Sequence, residues 1–162
     1  MFAIGDKVVY PVHGAGVIEA IENREVLGSQ RSYYILKIFA GDMRLLVPVD
    51  TVTAVGMRSV INAGDIPAIL DIFTEGNDDT EDNWNRRYRL NMEKIKSGNI
   101  RNVAVVVRNL MLRDALRGLS AGEKKMLEYA RRILVSELVI VREESEEEIM
   151  ELIRSLLPEA KK

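Results

Sequence analysis

The chain has 162 residues, 47% of them apolar, enough for a real core in one ordinary domain or two small ones. With no cysteine and one histidine it cannot form disulfides, thiolate nucleophiles, thiolate metal sites or a two-histidine metal motif. The net charge of −2 conceals blocks: residues 1–58 carry six basic and six acidic groups, 65–82 seven acidic and none basic, 83–136 thirteen basic and four acidic, and 137–160 eight acidic and two basic. A positive segment between two negative ones is a localised field rather than a generally basic surface.

Met1–Asp6 leads directly into strand-like sequence, with neither a secretory apolar core nor an apolar run of about 18 residues, so a cytoplasmic protein without membrane insertion is expected. Lys7–Tyr10 reads as a strand, followed by Pro11 and the turn Gly14-Ala15-Gly16. Residues 17–26 make a longer strand closed by Gly28-Ser29, and Tyr33–Phe39 a third, ending at Ala40-Gly41-Asp42. Met43–Val49 follows, with Pro48 confining it to a strand end or sheet edge, and a last short strand is expected near Thr53–Val55. Short strands with glycine-marked turns predict a small, strongly bent barrel of the SH3 or Tudor type over residues 1–58.

After Gly56 the period becomes helical. Ile66, Ile69, Leu70 and Phe73 form one stripe, broken by Glu75-Gly76-Asn77-Asp78-Asp79. Trp84, Tyr88, Met92 and Ile95 form a second, up to Ser97-Gly98. Asn99 caps a helix carrying Ile100, Val103, Val106, Val107, Leu110 and Met111, which Gly118 stops. Ser120 with Glu123, and Ser145 with Glu148, predict capping boxes that open helices through Met126–Leu138 and Ile149–Leu156. The expected fold class is α+β in two domains, a β-barrel over 1–58 and an all-helical bundle of about five helices over 59–162.

Catalytic patterns are absent. His13 precedes a glycine turn, where a structural or surface role is expected. Gly14-Ala15-Gly16 lacks the third glycine of a dinucleotide fingerprint, and Gly122-Glu123-Lys124-Lys125 lacks the upstream glycine of a phosphate-binding loop. The run at 77–82 lacks the spacing of a calcium loop and reads as an acidic linker. No enzyme activity, cofactor, metal or small-molecule substrate is expected.

Binding patterns are present. The only tryptophan, Trp84, lies between Asn83 and Asn85 and beside Arg86, Arg87 and Arg89. Guanidinium groups hold phosphates, and an apolar ring can disrupt stacking at a base step. The same pattern also describes a core tryptophan beside a solvated basic face, and Tyr88 is expected to face that core. Lys124 and Lys125 near a helix start oppose the macrodipole, a placement that suits an anionic partner such as a phosphate.

Four motifs recur in order: Gly5-Asp6-Lys7-Val8-Val9-Tyr10-Pro11-Val12-His13-Gly14, Val47-Pro48, Asn83-Trp84-Asn85-Arg86-Arg87-Tyr88, and Gly118-Leu119-Ser120-Ala121-Gly122-Glu123-Lys124. With them the chain resembles the CarD/CdnL family of bacterial transcription regulators along essentially its whole length. The first motif is shared with the polymerase-interacting module of transcription-repair coupling factors, but the helical half and the lack of a helicase motor exclude that assignment. The resemblance implies a Tudor-like domain that docks on the RNA polymerase β subunit, and a helical domain that binds promoter DNA at the upstream edge of the bubble. It implies that Trp84 wedges into the minor groove there and stabilises the open complex. The candidate DNA-side residues are Trp84, Asn85, Arg86, Arg87, Arg89, Lys124 and Lys125. On the polymerase side they are Arg24, Val26, Arg44, Val47 and Pro48, Arg44 standing in for an arginine that some relatives carry where this chain has Leu46. The expected partners are the polymerase β subunit and promoter DNA, the latter bound weakly without polymerase, by a monomer associated with the nucleoid through polymerase. A protein-only adaptor, whose helical domain binds another protein, is the alternative.

Overall fold

The computed structural model describes residues 1–11, 13–39, 43–76 and 83–158. Val12 of the first motif, the turn Ala40–Asp42, the acidic run at 77–82 and Lys161-Lys162 lie outside the described residues.

Strands β1 (Lys7–Tyr10), β2 (Gly14–Val26), β3 (Ser29–Ile38), β4 (Arg44–Pro48) and β5 (Arg58–Ser59) form one antiparallel sheet in the order β4-β3-β2-β1-β5. Period-2 alternation puts Val8, Ile18, Tyr34, Leu36, Ile38 and Val47 into one apolar cluster with Met57. A register shift between Ile18 and Ala20 bends β2. Beyond it residues 21–32 are exposed on both faces, so the distal parts of β2 and β3 project as a two-stranded arm. Its two-residue turn places Leu27 at φ 53° and Gly28 at φ 80°, the positive pair a tight hairpin requires. Leucine is a costly choice there, and Leu27 is fully exposed.

The strand expected at Thr53–Val55 is instead a helical turn, α1 (Val52–Val55). Val52 and Val55, three residues apart, both pack on the sheet cluster. Gly56 ends the turn at φ 78°, donating its N–H to the Thr53 and Val52 carbonyls. The fifth strand follows at Arg58–Ser59 and pairs with β1.

The remaining helices are α2 (Ile66–Ile72), α3 (Trp84–Lys96), α4 (Ile100–Arg117), α5 (Ala121–Arg142) and α6 (Glu146–Leu156). They enclose a core that includes Phe73, Ile95, Val103, Val107, Leu110, Leu134, Leu138 and Ile149. Asn99 caps α4 by accepting the Arg101 N–H at 2.9 Å. Ser145 and Glu148 form a complete capping box on α6. At α5 the expected box is only half present: Ser120 accepts the Glu123 N–H, but the Glu123 carboxylate turns to Arg87.

The sheet docks on the C-terminal half of α5. The Ser136 hydroxyl accepts the Ala15 N–H at 2.9 Å and donates to the Ile133 carbonyl, while Ile140 packs with Val9 and Ala15. Gly14 is required here, because it sits at φ 96° and a Cβ on it would lie 2.8 Å from the Ser136 Oγ. The next residue on α5, the buried Glu137, accepts two hydrogen bonds from Arg58 and one from the Ile61 N–H, all at 2.8 Å. Arg58 Nε also donates to the Gly98 carbonyl at 2.7 Å.

Candidate nucleic-acid interface

The N-termini of α3 and α5 meet at one outer corner. Asn83 caps α3 by accepting the Arg86 N–H at 2.9 Å, which starts the helix at Trp84. Ser120 does the same for α5. Trp84 bridges the two ends: its indole Nε1 donates to the Ser120 Oγ at 3.0 Å, across 36 residues of sequence. One ring face stacks on Tyr88, with centroids 5.2 Å apart and planes at 23°. Gly122 forms the floor, since a Cβ there would lie 3.3 Å from the Trp84 Cζ2. The residue is nonetheless 41% exposed. Trp84 is therefore neither a core residue nor a free one: its polar atom and one face are held, and the rest of the ring meets solvent.

Arg87 departs from the expectation of a phosphate-facing side chain. It is 3% exposed and reaches inward to the equally buried Glu123, Nε to Oε2 at 3.0 Å and Nη2 to Oε1 at 3.2 Å. The buried line of α3 is accordingly Arg87, Asn91 and Ile95, while Tyr88 and Met92 are half-buried beside it. The buried line is thus offset by about one residue from the apolar stripe, and the Glu123 carboxylate on α5 gives the buried guanidinium its partner.

Burial alone would push the Glu123 carboxyl up, but the Arg87 guanidinium, with Arg113 and the Ser120 hydroxyl, holds it below the ordinary value of 4.5. A folded value below the unfolded one means that the unfolded chain binds more protons in acid. The stabilisation is therefore complete above pH 4.5 and is lost as pH falls through the lowered value. Thermal unfolding midpoints of the wild type should fall more steeply below about pH 4.5 than those of Glu123→Gln, a comparison that isolates this carboxylate.

The other expected DNA-side residues, Asn85, Arg86, Arg89, Lys124 and Lys125, are all exposed. Arg86 and Arg89 lie one turn apart on α3, and Lys124 and Lys125 follow Glu123 on α5. Two helix N-termini add positive potential to the same corner. Sequence reasoning missed the seat itself, namely Ser120, Gly122 and Glu123 acting on Trp84. One signal was legible: a glycine in the first turn of a helix, where alanine would be more stable.

Arg108 on α4 is 1% exposed, donating to the Ile72 carbonyl at 3.2 Å and to Glu75 Oε2 at 3.1 Å. It anchors the C-terminal end of α2 ahead of the acidic run.

On the sheet, Arg24 is exposed and bonded to Glu22 at 2.9 and 3.1 Å, and Val26 is exposed near the hairpin tip. Arg44 is exposed and bonds Glu19 at 2.8 and 3.3 Å. Leu46, two residues on, shares its solvent face. Val47 is a correction: at 2% exposure its side chain belongs to the sheet core, leaving only its backbone on the outer edge of β4. Pro48 is half-buried at the strand end. Among the described residues no group of three or more His, Asp or Glu could hold a metal ion, and no helix is long and apolar enough to cross a membrane.

Comparison with known proteins places both halves. Residues 2–61 match the CarD-like/TRCF RID domain, and residues 68–154 match the CarD C-terminal domain. The Bacillus subtilis (strain 168) protein YdeB, a candidate transcription factor by its name, is 40% identical over 149 residues, 92% of this chain and 97% of its own. Among solved structures, the N-terminal part of CdnL from Myxococcus xanthus is 43% identical, covering 38% of this chain and 86% of its own with a TM-score of 0.33. The solution structure of the 72-residue N-terminal domain of Myxococcus xanthus CarD is 32% identical, covering 36% and 79%, with a TM-score of 0.32. The chain belongs to the CarD/CdnL family of transcription regulators.

Proposed function

We propose that this protein docks on the RNA polymerase β subunit through a Tudor-like N-terminal domain and stabilises the promoter open complex with Trp84. The observation that carries this reading is the half-exposed Trp84 ring at a corner lined by Arg86, Arg89, Lys124 and Lys125. The cations bind phosphates without reading sequence, and the ring recovers part of the unstacking cost at the upstream fork while the bubble is open. Arg87 supports this surface from behind rather than touching DNA. Docking through polymerase raises the effective concentration of the wedge at the fork, so affinity for free DNA is expected to be weak.

The polymerase-side surface in this reading comprises Arg24 and Val26 on the projecting arm, Arg44 on β4, and the β4 backbone at Val47 and Pro48. Arg24→Glu should weaken β-subunit binding by roughly tenfold, measured by titration with the isolated subunit, and leave thermal unfolding unchanged because the side chain is exposed. Unchanged affinity removes Arg24 from the contact. The wedge itself is tested by the dissociation rate of the open complex with Trp84→Ala.

A further inference from the structure

We propose that Ser120, Glu123 and Arg87 are positioning residues that fix the orientation of the Trp84 ring from inside the bundle. The importance of that orientation rests on the wedge reading, while the fixing itself stands on geometry alone. A serine hydroxyl offers one donor and two acceptor sites, and Ser120 uses all three. It accepts from the Trp84 Nε1 at 3.0 Å and from the Glu123 N–H at 3.2 Å, and donates to the Glu123 Oε1 at 3.4 Å. The hydroxyl rotor therefore has a single arrangement that satisfies every neighbour.

Glu123 sets that arrangement and Arg87 holds Glu123. In an ordinary capping box the glutamate reaches back to the N-cap backbone, as Glu148 does at Ser145. Glu123 departs from that pattern: its carboxylate bonds Arg87 at 3.0 and 3.2 Å and receives the Ser120 hydroxyl. A cap alone requires no buried arginine. Arg87 lies three residues after Trp84 on α3, so the same ion pair that orients Ser120 also joins the two helix ends between which the ring sits. Gly122 and Tyr88 close the ring's floor and inner face. A tryptophan held in this way loses little rotational freedom when a base step closes on it, which is the benefit of preorganisation.

Trp84 is the only tryptophan, so indole signals of the full-length chain report on this site alone. Ser120→Gly keeps most of the helix cap but removes the indole's acceptor, whereas Ser120→Thr keeps both functions. In Ser120→Gly, with helix content unchanged by circular dichroism, the indole N–H should exchange with solvent about fivefold faster, the equivalent of one ordinary hydrogen bond. Acrylamide quenching should rise with it. Ser120→Thr should match the wild type, and Glu123→Gln should move in the direction of Ser120→Gly. A Ser120→Gly protein with wild-type exchange and quenching overturns the proposal. So does a wild-type indole N–H that exchanges as fast as that of free tryptophan, a measurement that needs no variant to fold. If Ser120→Gly alters exchange but Trp84→Ala leaves open-complex lifetime unchanged, the positioning stands and the wedge reading falls.

Discussion

Trp84→Ala is expected to shorten the lifetime of the open complex by roughly tenfold or more, because base–aromatic stacking is worth about 1–3 kcal/mol by alanine substitution. In the proposed reading the ring meets its partner only once the bubble has opened, so the effect should fall on dissociation of the complex. Binding to polymerase should be unchanged if, as proposed, it runs through the arm and β4, which belong to the sheet and not to α3 or α5. The variant should also remain folded. Trp84 is 41% exposed, the α3 cap belongs to Asn83, and the core below is built from Ile95 and its neighbours. The stability cost should be about 1–2 kcal/mol, from the partial burial of the ring and its bond to Ser120. Loss of the cooperative unfolding transition would instead assign Trp84 a structural role.

Glu137→Ala should have the largest effect on stability, about 3 kcal/mol in chemical denaturation. Its carboxylate, 2% exposed, accepts Arg58 through both oxygens and the Ile61 N–H besides, so truncation leaves a backbone donor and a guanidinium without their acceptor. The figure sits at the low end for a broken buried pair because Arg58 is 30% exposed and can recruit water. A functional effect should follow from the geometry of α5. Its N-terminus carries the seat of Trp84 and its C-terminal half carries the sheet, so Ser120 and Ser136 are separated along one helix by roughly 24 Å. Weakening the Arg58–Glu137 contact should loosen the seat of the sheet on α5 and, in the proposed reading, reduce open-complex stabilisation while polymerase binding persists. A double-mutant cycle of Arg58 and Glu137 measures the coupling directly; additive losses would show that the two residues act separately.

Much of this architecture was legible in the sequence. Alternation and glycine turns located four strands, and Asn99, Ser120 and Ser145 marked three helix starts, because these signals arise from local backbone chemistry. The departures have separate causes. Charged and amide residues read as exposed, so Arg87, Asn91 and Arg108 were not recognised as buried, and a partner such as Glu123 lies 36 residues from Arg87 in the chain. The helical turn at Val52–Val55 was missed because a four-residue stretch with valines at both ends is too short to separate strand from helix. Val47 was selected as part of a motif, although its alternation with Leu46 on β4 already pointed inward. At the candidate site the exposed cations could be read from the charge block, whereas the Ser120 hydroxyl that holds Trp84 required three-dimensional contact.

Site-specific crosslinking from a photoreactive aromatic residue at position 84, in the complex with polymerase and promoter DNA, reports what the ring touches. The expected result is crosslinking confined to the upstream edge of the bubble, lost when polymerase is omitted and weakened by salt through the phosphate contacts. Crosslinks to polymerase subunits alone, insensitive to promoter DNA, would contradict the wedge and favour a protein-only adaptor.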